Sequence, residues 1–166
     1  RLTKSLNLIE QATTIIDEND IGFTFPVPGV VMKHYTAGSP PPAWWKQVRD
    51  RYAGAMDEMY RSQDRSHVAG RPLLRYYAKR LEFAYEYMGS IEATRLAGMA
   101  KKDGNTDKQI EHLEKAVESM YNALNAYSEV ARDSCDRGVI AVLNEYGYRP
   151  LKRELESASQ ALEEAR

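Results

Sequence analysis

The residues best suited to do chemistry are carboxylates and arginines. Glu82 and Glu86 stand one helical turn apart, and Asp57 adjoins Glu58. A Glu pair on one helix face can serve as general acid and general base if that face lines a cleft. Such a face is ordinarily solvated, or paired with Arg and Lys of a neighbouring helix. No Gly-x-Ser-x-Gly, Cys/His pairing or Gly-rich phosphate loop accompanies these groups, so no catalytic residue is assigned and an isolated enzyme is disfavoured. The three histidines, His34, His67 and His112, fall in separate segments, and no Glu-x-x-His occurs; the nearest pairing is Asp64 with His67. No metal or cofactor is expected.

Binding chemistry is better represented. Arg61, Arg65, Arg71, Arg75, Lys79 and Arg80 face the single acid Asp64 over twenty residues. Arginine offers a planar fork of donors, so this excess could receive a carboxylate, sulfate or phosphate, unless neighbouring acidic helices neutralise it. Trp44 and Trp45 follow a run of prolines, with His34 and Tyr35 shortly before it. Successive helical residues point about 100° apart. One tryptophan should therefore enter the core, leaving the other to cover the proline segment or to offer a flat ring to a sugar or a proline-rich peptide. The candidate ligand residues are thus Trp44, Trp45, Tyr35, His34, Arg71 and Arg75. A further polar cluster, Asp136, Arg137, Gly138, Asn144, Tyr146, Tyr148 and Arg149, reads as a hydrogen-bonded corner with Asp136 or Arg137 capping backbone groups.

The elements that must position these groups are helices. Ile110, Leu113, Val117, Met120, Leu124, Tyr127 and Ala131 step by three and four residues, the seam of a long helix reaching about Asp133. Leu2, Leu6, Ile9, Thr13 and Ile16 repeat the step in a first helix, widened by Leu8 and Ile15. Trp45, Val48, Tyr52, Ala55 and Met59 do so in a second, from about Ala43 to Gln63. Leu74, Tyr77, Leu81, Ala84, Met88 and Ile91 mark a third, apolar on more than one face and hence central. Gly138 and Gly147 interrupt the chain around a short helix, and Leu151, Leu155, Ala158, Leu162 and Ala165 form the last seam. Between Phe23 and Pro42 the prolines exclude helix interior, which predicts a long packed loop. The expected fold is an all-α antiparallel bundle of four to five helices, one proline-rich loop lying between the first two, with the third and fourth helices as a hairpin.

Composition limits the partners. The chain of 166 residues has a formal net charge of −1. It fits one helical domain over 1–166 and has no basic field to hold a nucleic acid. No apolar run approaches the ~20 residues of a membrane span. The single cysteine, Cys135, cannot form an internal disulfide, and its place at the end of a helical pattern suits a small buried thiol. Arg1 opens the chain inside a helical pattern, which reads as a piece of a larger protein.

The runs RYYAKRLEFAYEYM (Arg75 to Met88) and DRGVIAVLNEYGYRPL (Asp136 to Leu151) resemble the helical regions that follow the catalytic barrel in large secreted bacterial polysaccharide-degrading enzymes. The resemblance implies a noncatalytic accessory module, secreted or periplasmic. Such a module would bind polysaccharide or oligosaccharide through exposed aromatics, with Trp44, Trp45 and Tyr35 as the ring surface, or lie against an adjacent catalytic domain. The alternative is a structural or protein-interaction bundle that buttresses such a domain or self-associates through the extra apolar faces of the third helix.

Overall fold

The computed structural model describes residues 1–19 and 27–165. Among these there is no strand, and seven α-helices follow in order: α1 (Leu2–Asn19), α2 (Val30–Ala37), α3 (Ala43–Arg65), α4 (Arg71–Lys102), α5 (Thr106–Ser128), α6 (Ser134–Leu143) and α7 (Arg149–Glu164). A 3-10 turn over Val68–Gly70 joins α3 to α4, and a π turn over Asn144–Tyr148 joins α6 to α7. The fold class is all-α, as the periodicity predicts.

The 32-residue α4 is the spine, roughly 48 Å long at ~1.5 Å per residue. It packs on α2, α3 and α5. Tyr87, Met88, Gly89, Ser90 and Ile91 are buried in succession, which requires neighbours all round the helix rather than along one stripe. α5 returns antiparallel along it, as the expected hairpin: Phe83 meets Tyr127 with ring centroids 5.4 Å apart, and Ser90 Oγ donates to the Ala116 carbonyl at 2.7 Å. The α5 seam is core, with Leu113, Met120 and Tyr127 buried and Ile110, Val117 and Leu124 packed against them.

Four sequence expectations are corrected. The segment read as one long loop carries a helix, α2. Its prolines flank those eight residues rather than interrupt them, and Gly38, at φ +49°, ends the helix by donating its N–H to the His34 carbonyl. Phe23, Phe25 and Pro26 lie outside the described residues. The fourth helix stops at Ser128, short of Ala131, because Asp133 caps a new helix by accepting from the Asp136 N–H at 3.0 Å. Gly138 and Gly147 do not then break the chain: Gly138 sits inside α6, Gly147 lies in the π turn, and Pro150 falls in the first turn of α7, where no donor is needed. Seven α-helices among the described residues thus stand where four or five helices were expected.

The third correction concerns α1, whose expected seam is only partly inward: Ile9 and Ile16 pack against the core, as do Leu8 and Ile15, but Leu2, Leu6 and Thr13 face outward. Leu2 and Leu6 are 43% and 53% exposed, whereas Ser5 and Ala12 are fully buried. These small residues let α1 approach α3 closely; Ser5 Oγ donates to the Ala55 carbonyl at 2.7 Å. Arg1 and Lys4 pair with the buried Glu58 at 3.2 and 2.9 Å and fix the same rotation. Cys135, expected inside, is exposed at the start of α6.

Candidate functional site

The short α3–α4 connection brings the last turn of α3 beside the first turns of α4, and α5 ends at the same pole of the bundle. Gln63, Arg71, Arg75, Tyr76, Glu129 and Arg132 consequently line one pocket of about 420 Å³. Three guanidinium groups there face one carboxylate.

Their commitments differ. Arg75 Nη2 pairs with Glu129 Oε2 at 3.0 Å, and Lys79 Nζ reaches Glu129 Oε1 at 3.3 Å. The Lys79 contact above all, then Arg75, holds the Glu129 carboxyl below its ordinary value. Arg71 donates Nε to the Ser66 carbonyl at 3.2 Å, and its two Nη groups have no hydrogen-bond partner among the described residues. The Arg132 guanidinium lies 3.5 Å from the centre of the Tyr76 ring and forms no salt bridge among the described residues. Gln63 Oε1 is buried against the pocket with no hydrogen-bond partner among them.

Beneath the pocket sits a buried anion. Asp136, 6% exposed, accepts at Oδ1 from the hydroxyls of Tyr127 at 2.8 Å and Tyr76 at 3.2 Å, and at Oδ2 from the Arg132 N–H at 2.8 Å. These bonds, the backbone one foremost, hold its carboxyl below the usual range. Burial, reinforced by the bond to Asp136, pushes the Tyr127 hydroxyl up to about 12. Arg80 closes the network by donating to the Tyr76 hydroxyl at 2.8 Å. The corner read from Asp136 is therefore structural: it sets the Tyr76 ring upright and holds Arg132 against it. The pocket's excess of guanidinium groups over carboxylates suits it to an anion.

Of the six candidate ligand residues, Arg71 and Arg75 meet in this pocket. Trp45 and Tyr35 do not stand exposed: they are 3% and 5% accessible and belong to the core. Trp45 donates its indole N–H to the Met88 carbonyl at 3.2 Å, and the Tyr35 hydroxyl accepts from Gln109 Nε2 at 2.7 Å. The surface of three rings implied by the resemblance is corrected for Trp45 and Tyr35, because α2 and the entry of α3 turn those faces onto α4, whereas the expectation that one tryptophan enters the core is met by Trp45. Trp44 is half-buried, 5.4 Å from the Trp45 ring. His34 faces Arg95 Nη1 across 3.1 Å and helps fasten α2 to α4. These groups lie at the far end of α3 from the cationic pocket, roughly 30 Å away at ~1.5 Å per residue.

The paired carboxylates are committed elsewhere. Glu82 accepts from the Tyr60 hydroxyl at 2.7 Å and pairs with Lys79 at 2.9 Å. Burial raises the Glu86 carboxyl, opposed by Arg49 and reinforced by Glu82 and Glu118. Asp57 pairs with Arg61 on the exposed face of α3. His67 accepts from the Ala69 N–H in the α3–α4 turn, and among the described residues no three His, Cys, Asp or Glu side chains gather closely enough to hold a metal ion. No described helix is long and apolar enough to cross a membrane.

A second feature is apolar. α1 packs on α3, and α3 on α4, which leaves a slot between α1 and α4 floored by Met59. The slot, about 600 Å³, is walled by Leu2, Leu6 and Ile9 on one side and by Leu73, Tyr77 and Leu81 among others on the opposite side. Leu2, Leu6, Leu73 and Tyr77 remain 43%, 53%, 50% and 49% exposed. Sequence reasoning placed three of these residues or their neighbours in core seams. The overlooked signal was Ser5 and Ala12, small residues suited to the tight contact that turns the leucines outward. Arg132 and Glu129 were missed because they lie far in sequence from the Arg61 to Arg80 run, and Gln63, inside that run, because it carries no charge. In comparisons with known protein families, curated proteins and solved structures, no family model, no curated protein and no solved structure matches this chain.

Proposed function

We propose that the chain is a noncatalytic helical assembly module that pairs with a second copy of itself through the slot between α1 and α4. The observation that carries this reading is the convergence of four half-exposed large apolar side chains, Leu2, Leu6, Leu73 and Tyr77, on one opening. Contiguous apolar surface of this kind marks an interaction site, whereas isolated exposed leucines do not.

A second copy suits the slot in three respects. Both walls carry seams of three-four spacing, Leu2–Leu6–Ile9 and Leu74–Tyr77–Leu81–Ala84, the pattern that receives another helix of the same kind. Of the described residues lining it, Arg80 is the one charged group, and that guanidinium is already engaged by Tyr76 and lies 4.7 Å from the centre of the Tyr127 ring. A strongly charged partner would find no countercharge there. With a net charge of −1, two copies scarcely repel. A two-fold axis laying the α1 stripe of each copy on the α4 stripe of the other covers all four exposed residues twice over.

Sedimentation equilibrium across the micromolar range tests this. A concentration-dependent dimer is expected, with Leu6→Glu and Tyr77→Glu each shifting it to monomer while far-ultraviolet circular dichroism stays unchanged. A strict monomer overturns the proposal, as does a dimer indifferent to both substitutions. The carbohydrate-binding role implied by the resemblance has Tyr35 and Trp45 withdrawn into the core. Its remaining support is the cationic pocket.

A further inference from the structure

We infer that α2 is an acid-operated latch: protonation of the His34 ring releases this short helix from α4 while the rest of the bundle stays folded. The latch sits on the C-terminal half of α4, against Arg95, Gly98 and Lys102, and the self-association slot on its N-terminal half, from Leu73 to Ala84. The inference therefore stands apart from pairing between copies.

Three observations make α2 the part that opens. Its ends are permissive: Gly29 and Gly38 flank it at φ +82° and +49°, in the left-handed region that glycine enters without strain. Small residues at the ends of an element can absorb the backbone change that a swinging segment needs. Its seat is also limited, since Val31 and Tyr35 are buried whereas Lys33, Thr36 and Ala37 stay exposed. The spine does not depend on it, because α4 packs directly on α3 and on α5. A segment that buries few side chains opens at a lower free energy than the whole domain unfolds. Finally, its polar ties converge on one side chain. Arg95 donates Nε to the Ser39 carbonyl at 3.0 Å, Nη2 to Ser39 Oγ at 2.5 Å and Nη1 to His34 Nδ1 at 3.1 Å.

The titrating ring stands inside that convergence. A guanidinium can only donate, so its bond to His34 requires a free lone pair on Nδ1. A proton there removes the acceptor and leaves two cations face to face. Among the described residues Arg95 is the charge that bears on the ring. The other charged groups on elements packed against α2 are committed: Lys101 of α4 pairs with Glu154 of α7, Lys102 of α4 holds the Ala37 carbonyl, and Glu145 of the π turn pairs with Arg149. No carboxylate is therefore placed to compensate the new charge. Burial foremost, then Arg95, makes the seated ring harder to protonate than a free one, whose ordinary value is 6.5. Opening is thus favoured only as pH falls below about 6.5, and the gain levels off below the lower value of the seated ring.

Hydrogen exchange of the full native chain, resolved by peptide and corrected for the pH dependence of intrinsic amide exchange, tests the latch at about pH 7.5 and about pH 5.5. The amides of Val31–Ala37 are expected to lose protection several-fold in acid, about tenfold at most, while the central turns of α4 and α5 keep theirs. His34→Asn, which offers an acceptor that does not titrate, should hold the protection of α2 constant over the same interval. The native chain decides without the variant as well: unchanged α2 protection overturns the proposal, and so does an equal loss in α4 and α5, which marks global unfolding. An acid loss that persists in His34→Asn overturns it too, by moving the trigger to another group.

Discussion

Gly98 lies directly against the carbonyl of Tyr35: a Cβ placed on Gly98 would stand 1.9 Å from that oxygen. α2 can rest on α4 at this depth because the spine has no side chain there. Lys102 reinforces the contact by donating Nζ to the Ala37 carbonyl at 2.5 Å, and Arg95 does so by donating Nε to the Ser39 carbonyl at 3.0 Å. Gly98→Ala must push a helix rather than a flexible side chain. It is expected to cost about 3 kcal/mol in urea denaturation. Gly138→Ala is the control, since nothing lies within 4 Å of its added Cβ inside α6. That change should stabilise by about 0.5–1 kcal/mol.

The same clasp makes stability depend on pH. Arg95 Nη1 can only donate, so His34 Nδ1, 3.1 Å away, must accept, and the neutral ring carries its proton on Nε2. Burial foremost, then the Arg95 charge, lowers the His34 pKa from its ordinary value of 6.5. The folded chain thus binds this proton less readily than the unfolded chain. The contribution is intact above about pH 6.5 and is lost as pH falls from there through the lower folded value. Denaturation at about pH 7.5 and about pH 5.5 should show a drop for the native chain that is smaller in His34→Asn, whose side chain still offers an acceptor but does not titrate. Equal drops would remove His34 as the cause.

How much of this was legible beforehand follows from the range of the interactions. The α5 seam and the antiparallel α4–α5 pairing depend on local periodicity, and Leu113, Met120 and Tyr127 were placed in the core from spacing alone. The rotation of α1 was legible only in part: Ile9 and Ile16 of the expected stripe do pack on the core, but hydrophobicity placed Leu2 and Leu6 there as well, where Ser5 and Ala12 are buried instead. What decides is Ala55, Gly54 and Glu58 on α3, some fifty residues away. α2 was hidden by its flanking prolines. In the pocket, Arg71 and Arg75 were visible as an unbalanced run. Arg132 and Gln63 join them only once α3, α4 and the end of α5 share a pole.

Tyr35 can be judged as a structural group by removing one atom. Its hydroxyl accepts from Gln109 Nε2 at 2.7 Å, and Gln109 is 7% exposed. Tyr35→Phe leaves that amide buried with one donor unmet, at a cost of about 1–3 kcal/mol. Thermal unfolding should register the loss, and oligosaccharide binding, if measured alongside, should not change. A variant as stable as the native chain would show that water replaces the hydroxyl.

Asp136 is the test of whether the cationic pocket is preorganised by the corner below it. One carboxylate holds two tyrosine hydroxyls and the Arg132 N–H, and Arg80 and Arg132 flank the Tyr76 ring that results. Asp136→Asn keeps the volume but must present an NH₂ where an acceptor stood, so one of the three donors loses its partner and the negative charge between the arginines is gone. It is expected to lower the unfolding temperature more than Tyr76→Phe, which removes a single hydroxyl. The order should reverse in acid: once pH falls below the depressed value of Asp136, the native carboxyl is protonated as well, and the native chain loses its advantage over the Asn variant. Thermal melts of the three proteins at neutral pH and in steps descending below the ordinary aspartate range would show this convergence. A gap between the native chain and Asp136→Asn that is independent of pH would mean that shape rather than charge holds the corner together.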